Sequence, residues 1–461
     1  MGVPQSSGQC RGRTASRCAV CGAAVLSAIS MVLTGHPVIA AGAATACCAD
    51  LEMRVAELEA AAVRTRGRTV ELSISGVINR AILVWDDGQR HGAALVTNDN
   101  DNSVVTIEGE AGALSHGWLA GFVLDFDILD AGSGDISQLD QHGFRALELG
   151  ELSVWLRSDR FGEVSIGKTS ARGASSGTNE QDLSGTEVAA YAGVTDVGGG
   201  FFLQRADAQN AAGPLRVKWD DVIDSLDEPD GNVVTYSSPD LWGLSATALW
   251  GEDNIWNLAA AYHQTIGPGL QIAAAIAVNG NHQRRVDDLP DHRTVAGSVS
   301  VLHLPTGLSL TGAGGKRDFI ESLTLANGRA ATPSSPHFYY AKAGWQGAII
   351  QAGATAAYIE AGQFIDFLGG NASAATVESL AGLGAGAACT SPAAACLVSN
   401  SNAQMWGLGV VQSINQSEAQ LYFSYRHFDA DAGLANASGS AVSSVPLTGL
   451  DTFMAGMLIE F

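Results

Sequence analysis

From Thr69 onward the chain repeats one pattern. Trp118, Ala120, Phe122, Leu124 and Phe126 alternate with positions that include Gly121, Asp125 and Asp127. Val105, Ile107 and Gly109 alternate with Thr106, Glu108 and Glu110, and Ile350 to Tyr358 and Leu421 to Tyr425 repeat the scheme. A period of two is the period of a strand. One face is apolar with aromatic ends, and the other is small, polar or charged. A sandwich also alternates, but with shorter strands and the polar face outside. These segments run about nine to thirteen residues, the length a tilted strand needs to cross a bilayer.

Sixteen such strands are expected, near 70–86, 102–112, 116–128, 145–158, 161–168, 231–238, 241–251, 254–265, 268–279, 292–304, 306–315, 336–345, 347–360, 403–414, 416–428 and 449–461. Connections alternate in length. "SDRF", "SPD", "TIGPG", "LPTG" and "SINQ" are short, and Gly/Ser/Asn/Asp-rich segments fill most of the others. Tight turns at one end and long loops at the other are the habit of a membrane barrel. The fold class expected is therefore all-β: a 16-stranded antiparallel transmembrane β-barrel over 69–461. An even count places both barrel ends on the periplasmic side. The closing "DTFMAGMLIEF" is an apolar strand that needs a partner, which the first strand supplies if the ring closes. Phe453, Met457, Ile459 and Phe461 share one face of it and are the candidate barrel-end assembly signal.

Composition agrees. Charged residues are 16 %, Gly is 55 of 461, and no stretch past the N-terminus reaches 18 consecutive apolar residues, which disfavours membrane helices. The net charge of −22 argues against nucleic acid, which requires a basic surface. No HExxH motif occurs, and His91, His263, His303 and His337 are scattered, so no catalytic site is expected.

Residues 1–46 read as a secretory signal peptide. Arg11, Arg13 and Arg17 precede an apolar run, Ala19 to Leu33, and small residues follow it. Cleavage at Ala41-Gly42-Ala43 or Ala44-Thr45-Ala46 leaves Cys47, Cys48, Cys389 and Cys396. In an oxidising periplasm Cys389 and Cys396 are a candidate disulfide, and a zinc site is the rival reading. Across 47–68, Leu51, Val55, Leu58 and Ala62 form a short heptad seam. A periplasmic helical segment is expected there, stable only when several copies meet.

Six stretches, in this order and spacing, resemble the general porins of alphaproteobacterial outer membranes: "CADLEMRVAELEA", "LSISGVINRAILVWDDG", "NDNDNS…TIEGEA", "FGEVSIGKTS", "VVTYSSPDLWGL" and "FMAGMLIEF". The resemblance implies a homotrimeric sixteen-stranded barrel in the cell outer membrane. It would lie among lipid and lipopolysaccharide and pass small hydrophilic solutes and ions by diffusion. It also implies one long loop folded inward. Val234 and Thr235 stand where that family carries basic residues, and 370–400 is unusually Ala-rich.

The longest connection, 169–230, follows the fifth strand and matches the family's constriction loop. It carries eleven acids against Arg172, Arg205, Arg216 and Lys218. The candidate constriction acids are Glu180, Asp182, Glu187, Asp220, Asp221, Asp224, Asp227, Glu228 and Asp230. Acid rings favour cations. Arg80, Arg145, Arg157, Lys168 and Arg426 are candidate basic wall residues, which would set a transverse field across the pore. No cofactor is expected. Ca²⁺ in the "NDNDN" run (Asn98 to Asn102) or near 220–230 is the alternative to plain Asx turns. Two other readings are an outer-membrane anchor to the cell wall and a substrate-specific channel.

Overall fold

The chain divides into two units, Met1–Val63 and Arg64–Phe461. The computed structural model describes residues 64–65, 68–112, 117–143, 145–169, 181–204, 206, 217–226, 231–281, 291–320, 323–324, 330–331, 334–368, 397–415, 417–435 and 441–461. All belong to the second unit. The expected signal peptide, nearly all of the expected helical segment, and both Cys389 and Cys396 lie outside the described residues. Arg64–Thr65 form a short strand that pairs back on Arg68 and Thr69.

Sixteen staves make the wall. They are β1 (Arg68–Asp86), β2 (His91–Thr97 continued by Val104–Ala111), β3 (Trp118–Asp130), β4 (Arg145–Ser158), β5 (Gly162–Thr169), β6 (Gly231–Ser237), β7 (Leu244–Gly251) and β8 (Trp256–Ile266). They continue as β9 (Leu270–Asn281), β10 (His292–His303), β11 (Leu308–Phe319), β12 (His337–Gly347), β13 (Thr355–Ile365), β14 (Leu397–Ile414), β15 (Ala419–Ala435) and β16 (Leu450–Glu460). Ala441–Pro446 extends the last stave along β15. Each stave pairs antiparallel with the next, and β16 pairs with β1 from Val77↔Glu460 to Asp86↔Asp451. Gly76 and Phe461 exchange both backbone hydrogen bonds at 3.0 Å. The ring is closed, so the terminal apolar strand has no free edge.

Two expectations about strands change. The second stave is broken: His91–Thr97 and Val104–Ala111 both pair with β1, and the polar run between them leaves the ladder. The thirteenth strand starts at Thr355, not near 347. Residues 348–354 carry exposed Ile349 and Ile350, so this turn is apolar and continues the alternation that identifies strands. The apolar composition of this turn looks like one more strand, and the pattern misplaces its boundary.

The faces follow from burial. On β1, Ile78, Ile82 and Val84 are exposed, while Asn79, Ala81, Leu83 and Trp85 are buried. The exposed set faces outward, and the buried set faces the lumen. The main apolar core thus lies inside the ring. Val188, Val194, Phe201, Trp219 and Ile223 of the long loop pack on Leu83, Trp85, Phe338, Tyr358 and Phe428 of the inner wall. Trp85 meets Phe201 at 5.0 Å and Trp219 meets Phe428 at 5.6 Å between ring centroids. Each such side chain contributes about 1.5–3 kcal/mol by leaving water, enough to hold a loop that would otherwise sample the open lumen.

Candidate functional site: a loop clamped inside the barrel

The loop after β5 is fixed through its own backbone. Asn98 Nδ2, from the break in β2, donates to Val188 O at 2.7 Å. Tyr358 Oη of β13 donates to Ala189 O at 3.3 Å, and Lys342 Nζ of β12 to Ala190 O at 2.7 Å. Arg426 of β15 donates to Val194 O at 3.0 Å and Tyr191 O at 3.5 Å. A run of carbonyls that a buried loop would leave unsatisfied is met by wall donors. Lower on the wall, Ser300 Oγ accepts from Leu183 N at 2.9 Å, and Gln346 Nε2 donates to Leu183 O at 3.2 Å.

Two buried ion pairs anchor these donors. Arg426 Nε lies 2.8 Å from Glu360 Oε1, with side chains 1 % and 0 % exposed. Tyr340 Oη donates to the other oxygen of Glu360 at 2.7 Å. Lys342 pairs with Asp182, which also accepts from Ser184 and Thr311. At this depth each charge needs its partner, because one left alone carries the full cost of desolvation.

These wall groups come from β2, β10–β13 and β15. The inner faces of β2–β5 carry a different chemistry. Register places Glu108 and Glu110 on the lumen side of β2, Asp125 and Asp127 on that of β3, Glu148 and Glu151 on that of β4, and Glu163 on that of β5. Asp127 stands directly across from Glu148, and Glu110 from Glu71 of β1. Ser153 Oγ donates to Glu151 at 2.6 Å. Like charges facing each other across strands are destabilising. Among the described residues one base shares this face, Arg157, bound to Glu163 at 2.6 Å and stacked over Trp155 at 4.4 Å.

The far end of the loop is also acidic. Asp221 Oδ2 accepts from Lys218 N at 2.8 Å, Lys218 Nζ lies 3.8 Å from Asp220, and Asp224 lies 3.9 Å from the buried Arg317. The Asp220 carboxyl is pushed up to about 7, chiefly by the protein packed around it. Lys218 opposes the rise, and Asp221, Asp224 and Asp135 add to it. Its side chain is 46 % exposed, so it exchanges protons with the lumen water. A carboxyl with a raised pKa is neutral below it and charged above it. Its negative charge is therefore expected to grow between about pH 6 and 8. Carboxylate titration followed by infrared difference spectroscopy across that range checks this, and Asp220→Asn should remove the signal. No carboxyl titrating there in the parent protein would refute it.

The sequence-predicted residues separate into groups. Asp182 is in the loop but buried in its ion pair, and Glu187 is exposed. Asp220, Asp221 and Asp224 are gathered as described. Glu180, Asp227, Glu228 and Asp230 lie outside the described residues. Of the wall bases, Arg426 reaches the loop but is buried beneath it. Arg157 faces the lumen near the short-turn end. Arg80 and Arg145 share Asp130 at 2.8 Å each, on the side of the wall that carries exposed Ile82 and Leu147. Lys168 shares the outward parity of Ile166 and bonds Leu149 O. The "NDNDN" run forms the break in β2. Its Asn98 and Asn100 hold Val188, and Asp99 accepts from Gly134 N at 2.7 Å. Phe453, Met457, Ile459 and Phe461 are exposed, at the seam where β16 meets β1.

Sequence reasoning missed Lys342 and the acids of β2–β5. Their signal was legible: Lys342 is the lone charge in "FYYAKAGW", and Asp125 and Asp127 occupy the polar set of their strand.

No protein-family model matches the chain, and no curated protein matches it in sequence. Among solved structures it is similar to an anion-selective porin from Comamonas acidovorans, at 14 % identity and a TM-score of 0.51, covering 85 % of this chain and 100 % of that one. It is also similar to OmpT, an outer membrane protein of Vibrio cholerae in a trimer form (12 % identity, TM-score 0.46, 85 % and 99 % covered). A third is OmpF of Salmonella typhi (13 %, 0.44, 87 % and 99 %). At such identity the first of these establishes a shared fold alone, the closed sixteen-stranded antiparallel barrel that this chain has in common with a porin.

Proposed function

We propose that the chain is a passive diffusion channel for small hydrophilic solutes and ions, with a preference for cations. The observation that carries this is a closed sixteen-strand ring whose lumen holds a fixed loop on one side and acidic strands on the other. A ring of this size leaves an aqueous passage unless something fills it, and the loop occupies part of that space. Charges lining a narrow water-filled path act at short range and sort ions by sign. The field differs from a basic wall opposite an acidic loop. The bases that reach the loop, Lys342, Arg426 and Arg317, are buried against it, and the inner faces of β2–β5 are acidic. The similar Comamonas porin is described as anion-selective; the acids here lead us to the opposite sign.

Further parts of this reading rest on the sequence: a cleaved signal over 1–46, a homotrimer, an outer-membrane setting among lipopolysaccharide, and membership of the alphaproteobacterial porins. The test is single-channel recording of the refolded protein under a salt gradient. Conductance steps with a zero-current potential on the cation side are expected. A potential on the anion side would refute the selectivity, and no steps from folded, inserted protein would refute the channel.

A further inference from the structure

Beneath the loop, toward the short-turn end, lies a cavity of about 820 Å³. Its walls are the loop around Leu183, the start of β9 at Gln271, and the ends of β10 and β12 with the turns that follow them. The volume falls within the range of small-molecule sites. Four amides line it: Gln271, Gln346, Gln351 and Asn415. Gln271 sits across the ladder from Leu302, which is 4 % exposed and forms part of the floor with Leu183 and Ile350. The floor is built rather than incidental. Leu183 is held on both sides of its peptide, by Ser300 Oγ at 2.9 Å and by Gln346 Nε2 at 3.2 Å. Gln346 thus has a fixed orientation, and its rotamer entropy is lost on folding rather than on binding.

We propose that this cavity is a binding subsite for a neutral sugar on the short-turn side of the constriction. The inference rests on the channel reading and names a solute class for it. An amide both donates and accepts, as does each hydroxyl of a sugar, so the four amides can meet several hydroxyls. The apolar floor of Leu183, Leu302 and Ile350 suits the C–H face of a pyranose ring. Two carboxylates also line the cavity: Asp182 is already taken up by Lys342, and the exposed Glu187 can accept from a hydroxyl. The residues around Gly307, Gly347 and Gly353 belong to the short turns, so the subsite opens to that end and is screened from the other by the loop.

The experiment uses the full refolded chain in a planar bilayer, with maltose as the probe on one side at a time. Saturable reduction of KCl current is expected with maltose on the short-turn side and much less from the other. Gln271→Ala with Gln351→Ala should weaken that block by about tenfold, as loss of two hydrogen bonds would, and leave KCl conductance unchanged. Equilibrium dialysis of radiolabelled maltose against detergent-folded protein runs in parallel. Binding that the double variant loses, with no conductance steps, would keep the subsite and overturn the channel. Steps with equal block from both sides, or block unchanged in the variant, would overturn the subsite and keep the channel.

Discussion

Replacing Arg426 by Met is expected to lower stability by about 3–5 kcal/mol, because it leaves the Glu360 carboxylate buried without its partner. The pair lies 2.8 Å apart with both side chains at most 1 % exposed. Arg426 also donates to Val194 O and Tyr191 O, so its loss frees two loop carbonyls at once. The channel is then expected to show larger and noisier conductance, as the loop leaves the wall. Removing both members, Arg426→Met with Glu360→Leu, should recover most of the stability, since a well-packed apolar pair can replace a buried ion pair. It should not recover quiet conductance, because the carbonyls stay unmet. Urea unfolding midpoints and single-channel noise read the two effects separately. A stable, quiet single variant would sink the clamp.

The second large effect concerns the acidic wall. Glu108→Gln, Asp125→Asn, Asp127→Asn and Glu151→Gln together remove four charges from the inner faces of β2–β4. Permeability ratios of cation over anion are expected to fall by about three- to tenfold at 0.1 M salt. Unit charges several ångströms apart in water interact by about 0.5–1 kcal/mol before screening. The effect should grow as salt is lowered, and the loss of cross-strand repulsion should leave folding unharmed or improved. An unchanged ratio would assign selectivity to the loop acids alone.

The acid on β3 shows what the sequence could carry. Asp125 and Asp127 alternate with Leu124 and Phe126, so an apolar outer face already places them in the lumen. The strand count, the closure of β16 on β1 and the polarity of the inner face follow in the same way, because a period of two leaves each side chain one choice of face. Arg145 and Arg157 show where the pattern fails. Twelve residues apart on β4, they share a parity and read as one face. The register shift opposite Leu124 and Phe126 inserts an extra residue, which reverses the faces beyond it. Arg145 therefore points outward to Asp130, and Arg157 inward to Glu163.

The clamp was beyond the sequence for a different reason. Lys342 and Asp182 are 160 positions apart, and Arg426 and Glu360 are 66. Nothing local sets which wall base meets which loop carbonyl. Strand periodicity by itself determined a closed barrel with a greasy outside and a polar inside, because that alternation is imposed residue by residue. The path of the loop, the burial of Lys342 and Arg426 beneath it and the sector of lumen left acidic were decided only by tertiary structure. They depend on long-range packing of Phe201 and Trp219 against the far wall, and on buried charges that must find partners wherever the fold brings them.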